Sequence, residues 1–419
     1  MRNEVLFDAK GRPDIMVVFT PDELGLPSTL CGKAVEEYLI SKYPNTLIDG
    51  VPYSLPFQKP ATSVNHDEAI TLCQSKGCGW HLLTNDEWAA LARQSWENDT
   101  IPTGNTRGGS SHSHPEQTGT TYDGSGRTLA GSGPIQWNHD RTAEGVADLV
   151  GNVWEHVGGI RFLDGQVQVI PNNGAAAGAD QSEGSPEWTA IYTTDGDPIY
   201  YNPKDGGIYL EPMATTEKDY DGVPFTDLEE NGLDVPDKLI ELSLYPPRGY
   251  EGSDYFWVDN DGERCVYRGG SWNNGANADL FSLSGDNARS YSCAYIGFRS
   301  AFVRYSGNSG DLDNLDTDTA DQQPEPKEAE SYETLPGLVR EILAGQLAKL
   351  CRYTEPAQLH EITMKVLEAD ETEFGELAQL LPTLAQTAVA VELYESVAKQ
   401  VKLAATTSIT IKTEVADYE

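Results

Sequence analysis

The run RGGSWNNGANADLFSLSGDNARSYSCAYIGFRSAF, from Arg268 to Phe302, constrains this chain more than any other segment. Its ends are built for fixed geometry: Arg268-Gly269-Gly270-Ser271-Trp272 on one side and Ile296-Gly297-Phe298-Arg299 on the other. Between Asn273 and Tyr295 lies an irregular mixture of Asn, Ser, Asp, Gly, Tyr and small residues with little strand or helix periodicity. Tyr, Ser, Gly and Asn are the palette of recognition loops, in which stiff aromatic area is combined with adaptable hydrogen bonding. A rigid frame around such a filling points to a binding face more than to a catalytic pocket.

Charge narrows the partners. The 419 residues carry a formal net charge of -37, which repels nucleic acid and anionic membrane alike. No apolar run is long enough to span a bilayer, and MRNEVLFDAKGRPDIMVVF has polar residues where a signal peptide needs its apolar stretch. Folding in the cytoplasm is the expectation. The six cysteines form no C-x-x-C pair, so reduced thiols are expected. Cys73, Cys78 and His81 have no fourth ligand at zinc spacing, and His112 and His114 read as solvated loop histidines.

Along the chain, IMVVF (15–19), YLISKY (38–43), NTLIDG (45–50) and VPYSLPF (51–57) read as short strands. Asn65 with Glu68 caps a helix to Ser75, and Thr84-Asn85-Asp86-Glu87 is a capping box ahead of a stripe of Trp88, Leu91 and Ala92. Residues 95–140 read as a long Gly/Ser/Thr/Asn loop, and residues 171–250 as an acidic insertion outside the core. Asp164-Gly165 marks a hairpin turn. The expected organisation is an N-terminal β-rich segment (1–60), a main domain (61–305), an acidic linker (306–331) and a small helical C-terminal domain (332–419). The linker's alternating Asp residues lack the Gly and terminal Glu of an EF-hand loop.

Four segments resemble, in order, one family. GWHLLTNDEWAALA (79–92), DLVGNVWEHV (148–157), RGGSW (268–272) and IGFRSA (296–301) are similar to segments of formylglycine-generating-enzyme-type domains, a branch of the C-type lectin fold. In the second segment His156 replaces an aromatic. Within that family, ISKY (40–43), YSLP (53–56), GSGPIQWNHD (131–140), GNVWEHVGGIR (151–161) and VQVIPNN (167–173) resemble the variable proteins of diversity-generating retroelements. The resemblance implies a loop-rich α+β fold in which the stretch between RGGSW and IGFR is the variable region. There a reverse transcriptase copies a template repeat with adenines replaced at random, and the fold displays the varied side chains to a ligand.

One property of the sequence bears on that reading independently. Mutagenesis of AAC codons at their first two positions never yields Lys, Glu, Gln, Met or Trp, and none of these occurs between Asn273 and Tyr295. The candidate varied, ligand-contacting residues are Asn273, Asn274, Asn277, Asp279, Ser284, Asp286, Asn287, Tyr291, Cys293, Ala294 and Tyr295. The candidate frame is Trp154, Arg268, Gly269, Gly270, Trp272, Phe281, Gly297, Phe298 and Arg299, with Leu283 and Arg289. Trp154 and Trp272 are expected to anchor the core beneath the face, and Arg299 to tie loop carbonyls or Glu155.

The family also contains an oxidase that uses a cysteine pair shortly after its RGGSF segment. NNGANADLFSL holds no Cys at that place, and no Ser-His-Asp spacing, Walker loop or dinucleotide fingerprint offers another chemistry. The expectation is a non-enzyme without a catalytic cofactor, a structural calcium ion being the one metal left open. The expected partner is a host-cell receptor, protein or glycan. The favoured setting is a phage tail or fibre assembled in the host cytoplasm, with the C-terminal segment joining other virion proteins or further copies of the chain. A bacterial cell-surface adhesin is the alternative setting.

Overall fold

A computed structural model describes residues 1–8 and 11–306. The expected linker beyond Ser306 and the helical C-terminal domain lie outside the described residues. Within them, residues 1–4 and 15–306 belong to one compact unit. The second unit is described by residues 5–8 and 11–14, where the backbone N–H and Nε–H of Arg12 both donate to the Asp8 carboxylate at 2.8 Å.

Both capping boxes form. Asn65 Oδ1 accepts from the Glu68 N–H at 3.0 Å while Glu68 returns to the Asn65 N–H at 2.9 Å, opening the helix His66–Gln74. Thr84 and Glu87 repeat the exchange at 3.2 and 2.9 Å and open the helix Asn85–Glu97. Each satisfies two orphan amide donors, a contribution of about 1 kcal/mol. Trp88, Leu91 and Ala92 are buried, and the Trp88 indole N–H donates to the Leu280 carbonyl at 2.9 Å. The second helix is thereby tied to the candidate variable segment.

The larger sheet runs Gly207–Glu211, Tyr200–Lys204, Gln166–Val169, Trp154–Leu163, Glu263–Arg268, Leu283–Asn287, Tyr255–Asp259, Tyr220–Pro224. Residues 171–250, expected to stand outside the core, instead supply three of these strands. Their alternation is the physical reason: Tyr201, Ile208 and Leu210 are fully buried, and Asp205 (φ 52°) and Gly206 (φ 80°) make the turn between the first two strands. Tyr201 packs on Phe256 (ring centroids 5.1 Å apart), Phe256 on Phe225 (5.9 Å) and Phe225 on Phe281 (5.9 Å).

Leu283–Asn287, in the middle of the irregular run, is also a strand. It lies between Glu263–Arg268 and Tyr255–Asp259, antiparallel to the first and parallel to the second. In the smaller sheet Ser300–Tyr305 lies between Lys33–Ser41 and Trp80–Leu82, with Ala301 opposite both Ile40 and His81. Pro13–Phe19 continues it, Val17 opposite Ile40. Pro13–Phe19 and Lys33–Ser41 thus share a sheet with Ser300–Tyr305, while Thr46–Ile48 and Val51–Tyr53 pair separately, and residues 15–60 belong to the same compact unit as the residues that follow.

Candidate ligand-binding face

Two arginines fix the ends of the run. Arg268, fully buried, donates through Nε and Nη2 to Asn85 Oδ1 (3.0 and 2.7 Å), through Nη1 to the Phe281 carbonyl (3.2 Å) and through Nη2 to that of Leu242 (3.0 Å). With no carboxylate in direct contact, burial lowers its pKa to about 9. At the other end Arg299 forms a buried fork on Glu155, both bonds 2.6 Å, and its Nη1 and Nη2 donate to the Ser41 and Ala147 carbonyls. Ile296–Phe298 runs parallel to Trp154–Leu163, with Ile296 opposite Trp154 and Gly297 opposite Glu155.

The glycines are required where they stand. Gly269 and Gly270 have φ of 86° and 81°, and a Cβ on Gly270 would lie 2.3 Å from that of Ala278. A Cβ on Gly297 would come within 2.6 Å of the Ala61 carbonyl oxygen. Phe281 and Leu283 are core residues, Phe298 is fully buried, and Arg289 bridges Glu263 and Asp67.

Between these anchors the candidate varied residues divide by exposure. Asn273, Tyr291, Ala294 and Tyr295 are exposed; Asn274, Asn277, Asp279, Asp286, Asn287 and Cys293 are half-buried. Asn274 Oδ1 accepts from the Ser271 N–H at 2.8 Å, a turn-forming role. Asp279 accepts from the Leu280 N–H, and burial together with the charge of nearby Asp254 raises its pKa well above the usual carboxylate range. Ser284 is different, being only 7% exposed and bonded to Asp286 within the sheet. Its position in the strand Leu283–Asn287 leaves it little surface for a ligand.

Trp272 was expected in the core, yet it is half-buried on the face. Its ring meets Tyr295 edge-on at 6.2 Å, and the Arg127 guanidinium lies 5.6 Å from its centroid. The Tyr291 and Tyr295 hydroxyls are 3.0 Å apart, and this bond with partial burial raises the Tyr295 pKa. The long loop expected over 95–140 therefore flanks the face.

The backbone of the run is held by residues outside it. Carbonyls of Trp272, Arg289, Cys293 and Tyr295 accept from the N–H groups of Gly108 (2.7 Å), His66 (3.3 Å), Ser63 (2.9 Å) and Trp154 (2.8 Å), and that of Ala294 from Arg127 Nη1 (2.6 Å). Main-chain acceptors are present whatever side chain the residue carries. A cleft of about 870 Å³ between the start of the helix His66–Gln74 and Ala288–Ser290 borders the face, lined in part by Asp67, Glu183, Glu263 and Arg289.

Beneath the face lies a polar knot that sequence reasoning did not find. His156 Nε2–H donates to the Val64 carbonyl at 2.9 Å, and its ring packs on His66 (5.5 Å) and Tyr267 (4.7 Å). Burial lowers the His156 pKa to about 4. In the unfolded chain the imidazole returns to about 6.5. Below that pH the unfolded state takes up a proton that the folded state refuses until about pH 4, so stability falls as pH falls through this window. Relative to H156F, which cannot titrate, the wild type is expected to lose roughly 2 kcal/mol between pH 7.5 and pH 5. Denaturant unfolding of both proteins at the two pH values measures this, and a constant difference would contradict the buried neutral imidazole.

Residues 42–161 match the family model of the Sulfatase-modifying factor enzyme 1-like domain. This is a C-type lectin fold of the formylglycine-generating-enzyme type. Its match includes the Thr84 capping box and Trp154–Arg161, and the lectin-type sheet is completed by strands on both sides of the run. No curated protein matches the chain. Among solved structures, variable protein 1 of Treponema denticola aligns at 13% identity with a TM-score of 0.27, over 72% of this chain and 98% of that one. Among the described residues of this lectin-type fold, no helix is long and apolar enough to cross a membrane, and no group of three or more His, Cys, Asp or Glu is arranged to hold a metal.

Proposed function

We propose that this chain is a non-enzymatic, variable ligand-binding protein of a diversity-generating retroelement, its lectin-type fold presenting the run between RGGSW and IGFR to a receptor. The observation that carries the reading is how the run is supported. Its outward side chains take little part in the core, while its carbonyls are bonded to Ser63, His66, Gly108, Arg127 and Trp154, outside the run. Such a segment can exchange its side chains without losing its path. The absence of Lys, Glu, Gln, Met and Trp from Asn273 to Tyr295 supports the same reading, as does the ordered resemblance of the motifs.

Against oxidase chemistry stands the lack of a cysteine in Asn273–Leu283. Cys265 is buried in the sheet, where burial raises its thiol pKa to about 12, far from the thiolate such chemistry uses. The setting we propose is a phage or prophage tail whose varied face sets host range. Weak single contacts would there be multiplied by repeated display.

The experiment follows from the exposures. Replacing Tyr291 and Tyr295 together by Ala removes their mutual hydroxyl bond and the edge contact of Tyr295 with Trp272, and is expected to change the unfolding free energy by no more than about 1.5 kcal/mol. It is also expected to remove most binding to a receptor captured by the wild type. Trp272→Ala, half-buried, should cost about 1–2 kcal/mol, below the 3–5 kcal/mol of a fully buried Trp. Undiminished receptor binding by the tyrosine variant would refute the assignment of the face.

A further inference from the structure

The outer surface of the larger sheet continues past the variable run onto strands outside it. On Tyr255–Asp259 the outward residues are Tyr255, Trp257 and Asp259, all half-buried, while Phe256 and Val258 are fully buried. Cross-strand register places Tyr220, 52% exposed, opposite Asp259, and Gly222 opposite Trp257. On the other side Trp257 is opposite Ser284, which sets Asp286 beside Asp259 on the same face. Tyr255 and Trp257 rings are 4.7 Å apart, and Trp257 meets Trp154 edge-on at 5.7 Å. A side chain on Gly222 would collide with the Trp257 ring at 2.3 Å, so only a glycine lets the indole lie flat against this strand.

Charge at this strip is negative. Partial burial raises the Tyr220 pKa, and the charges of Asp286, Asp221 and Asp259 raise it further. Arg264 offsets one of these charges by donating to Asp259 at 2.8 Å. Behind the strip, Tyr267 is 1% exposed, opposite Ser284 in the sheet, and packs with Trp154, Trp257 and Cys293. Its buried hydroxyl has no hydrogen-bond partner, and an orphaned polar group at such a depth is costly unless something completes it.

We propose that Tyr220, Tyr255, Trp257 and Asp259 form an unvarying, cation-recognising half of the binding face, occupied by a lysine- or arginine-bearing segment of a protein partner. Ring faces attract ammonium and guanidinium groups through their quadrupole, and the fixed Asp259 beside them supplies opposite charge, to which Asp286 adds only while that varied position holds Asp. A neutral glycan would use the rings and leave the carboxylates unmatched. The inference rests on the reading of this surface as a ligand-binding face and adds to it a fixed chemical class. Varied positions choose among partners, and the strip requires that each present a cation.

The test uses the full chain and a short lysine–glycine peptide at physiological salt, with the same peptide acetylated on its lysines as the uncharged control. Binding is followed by tryptophan fluorescence or calorimetry. Tyr220→Ala combined with Trp257→Leu is expected to weaken peptide binding about ten-fold, Trp257→Phe to retain it, and acetylation to weaken it at least about ten-fold. Asp195→Asn with Asp197→Asn, on the exposed turn leading to the opposite end of the sheet, should change it less than about two-fold. Equal loss in that control variant, or equal binding of the acetylated peptide, would overturn the proposal. Should Trp257→Leu fail to fold, Tyr220→Ala alone, at the exposed sheet edge, carries the same comparison. A negative peptide result alongside loss of receptor binding in the Tyr291/Tyr295 variant would remove the cation strip and leave the variable face standing.

Discussion

Replacing Arg299 by Met is expected to destabilise the domain by about 3–5 kcal/mol, because it leaves a buried carboxylate without its partner. Glu155 is 1% exposed and receives both arms of the guanidinium at 2.6 Å. The same side chain also satisfies the Ser41 and Ala147 carbonyls, which belong to separate parts of the chain. Methionine fills much of the volume and supplies none of these donors. The double variant R299M/E155Q should recover part of the loss, since the uncompensated charge is then gone and an unmatched amide remains. Guanidinium or urea midpoints for the wild type, both single variants and the double variant give the coupling directly. A loss below about 1 kcal/mol for R299M would mean that water reaches Glu155 and that the fork is not the fastener described.

Gly269→Ala is expected to cost about 2–5 kcal/mol, from two separate sources. Gly269 sits at φ 86°, a region disfavoured for residues with a Cβ by about 1–2 kcal/mol. The added methyl would lie 2.2 Å from the Leu149 carbonyl oxygen and 3.0 Å from the Trp88 ring. Overpacking of a rigid core costs a further 1–3 kcal/mol, roughly. The neighbouring bonds tighten the constraint, for the Gly269 carbonyl accepts from Gly151 at 2.8 Å and its N–H donates to Ser282 at 3.2 Å. Thermal unfolding of G269A measures the sum. A melting temperature within about 2 °C of the wild type would show that the RGGSW turn does not impose this geometry.

What was legible in the sequence was local or carried by motif. The capping boxes at Asn65 and Thr84 need only residues three positions apart, and both form. The Asp164-Gly165 turn joins its two strands, and Arg299 takes Glu155. What was missed depended on long-range pairing. Leu283–Asn287 becomes a strand because the sheet has a place between Arg268 and Phe256, and Leu-Ser-Gly-Asp-Asn has little strand propensity of its own. Residues 171–250 hid their strands under an acidic composition, although Tyr201, Ile208 and Leu210 alternate. Trp272 was expected in the core on size alone. Its half-exposure follows from partners, Arg127 and Tyr295, that no local pattern reveals. Ser284, outward in register yet covered, is the varied candidate whose placement least resembles a contact residue.

The pH behaviour of the buried histidines and the mutational costs test the scaffold, but the central claim concerns variation itself. Sequencing this gene from many individual cells or virions of one population tests it most directly. The expected result is substitution concentrated at Asn273, Asn274, Asn277, Asp286, Asn287, Tyr291, Cys293, Ala294 and Tyr295, always to codons ending in C, with Arg268 to Trp272 and Ile296 to Arg299 constant. Identical sequences throughout the population, or changes spread evenly over the frame and the face, would contradict a surface built to vary.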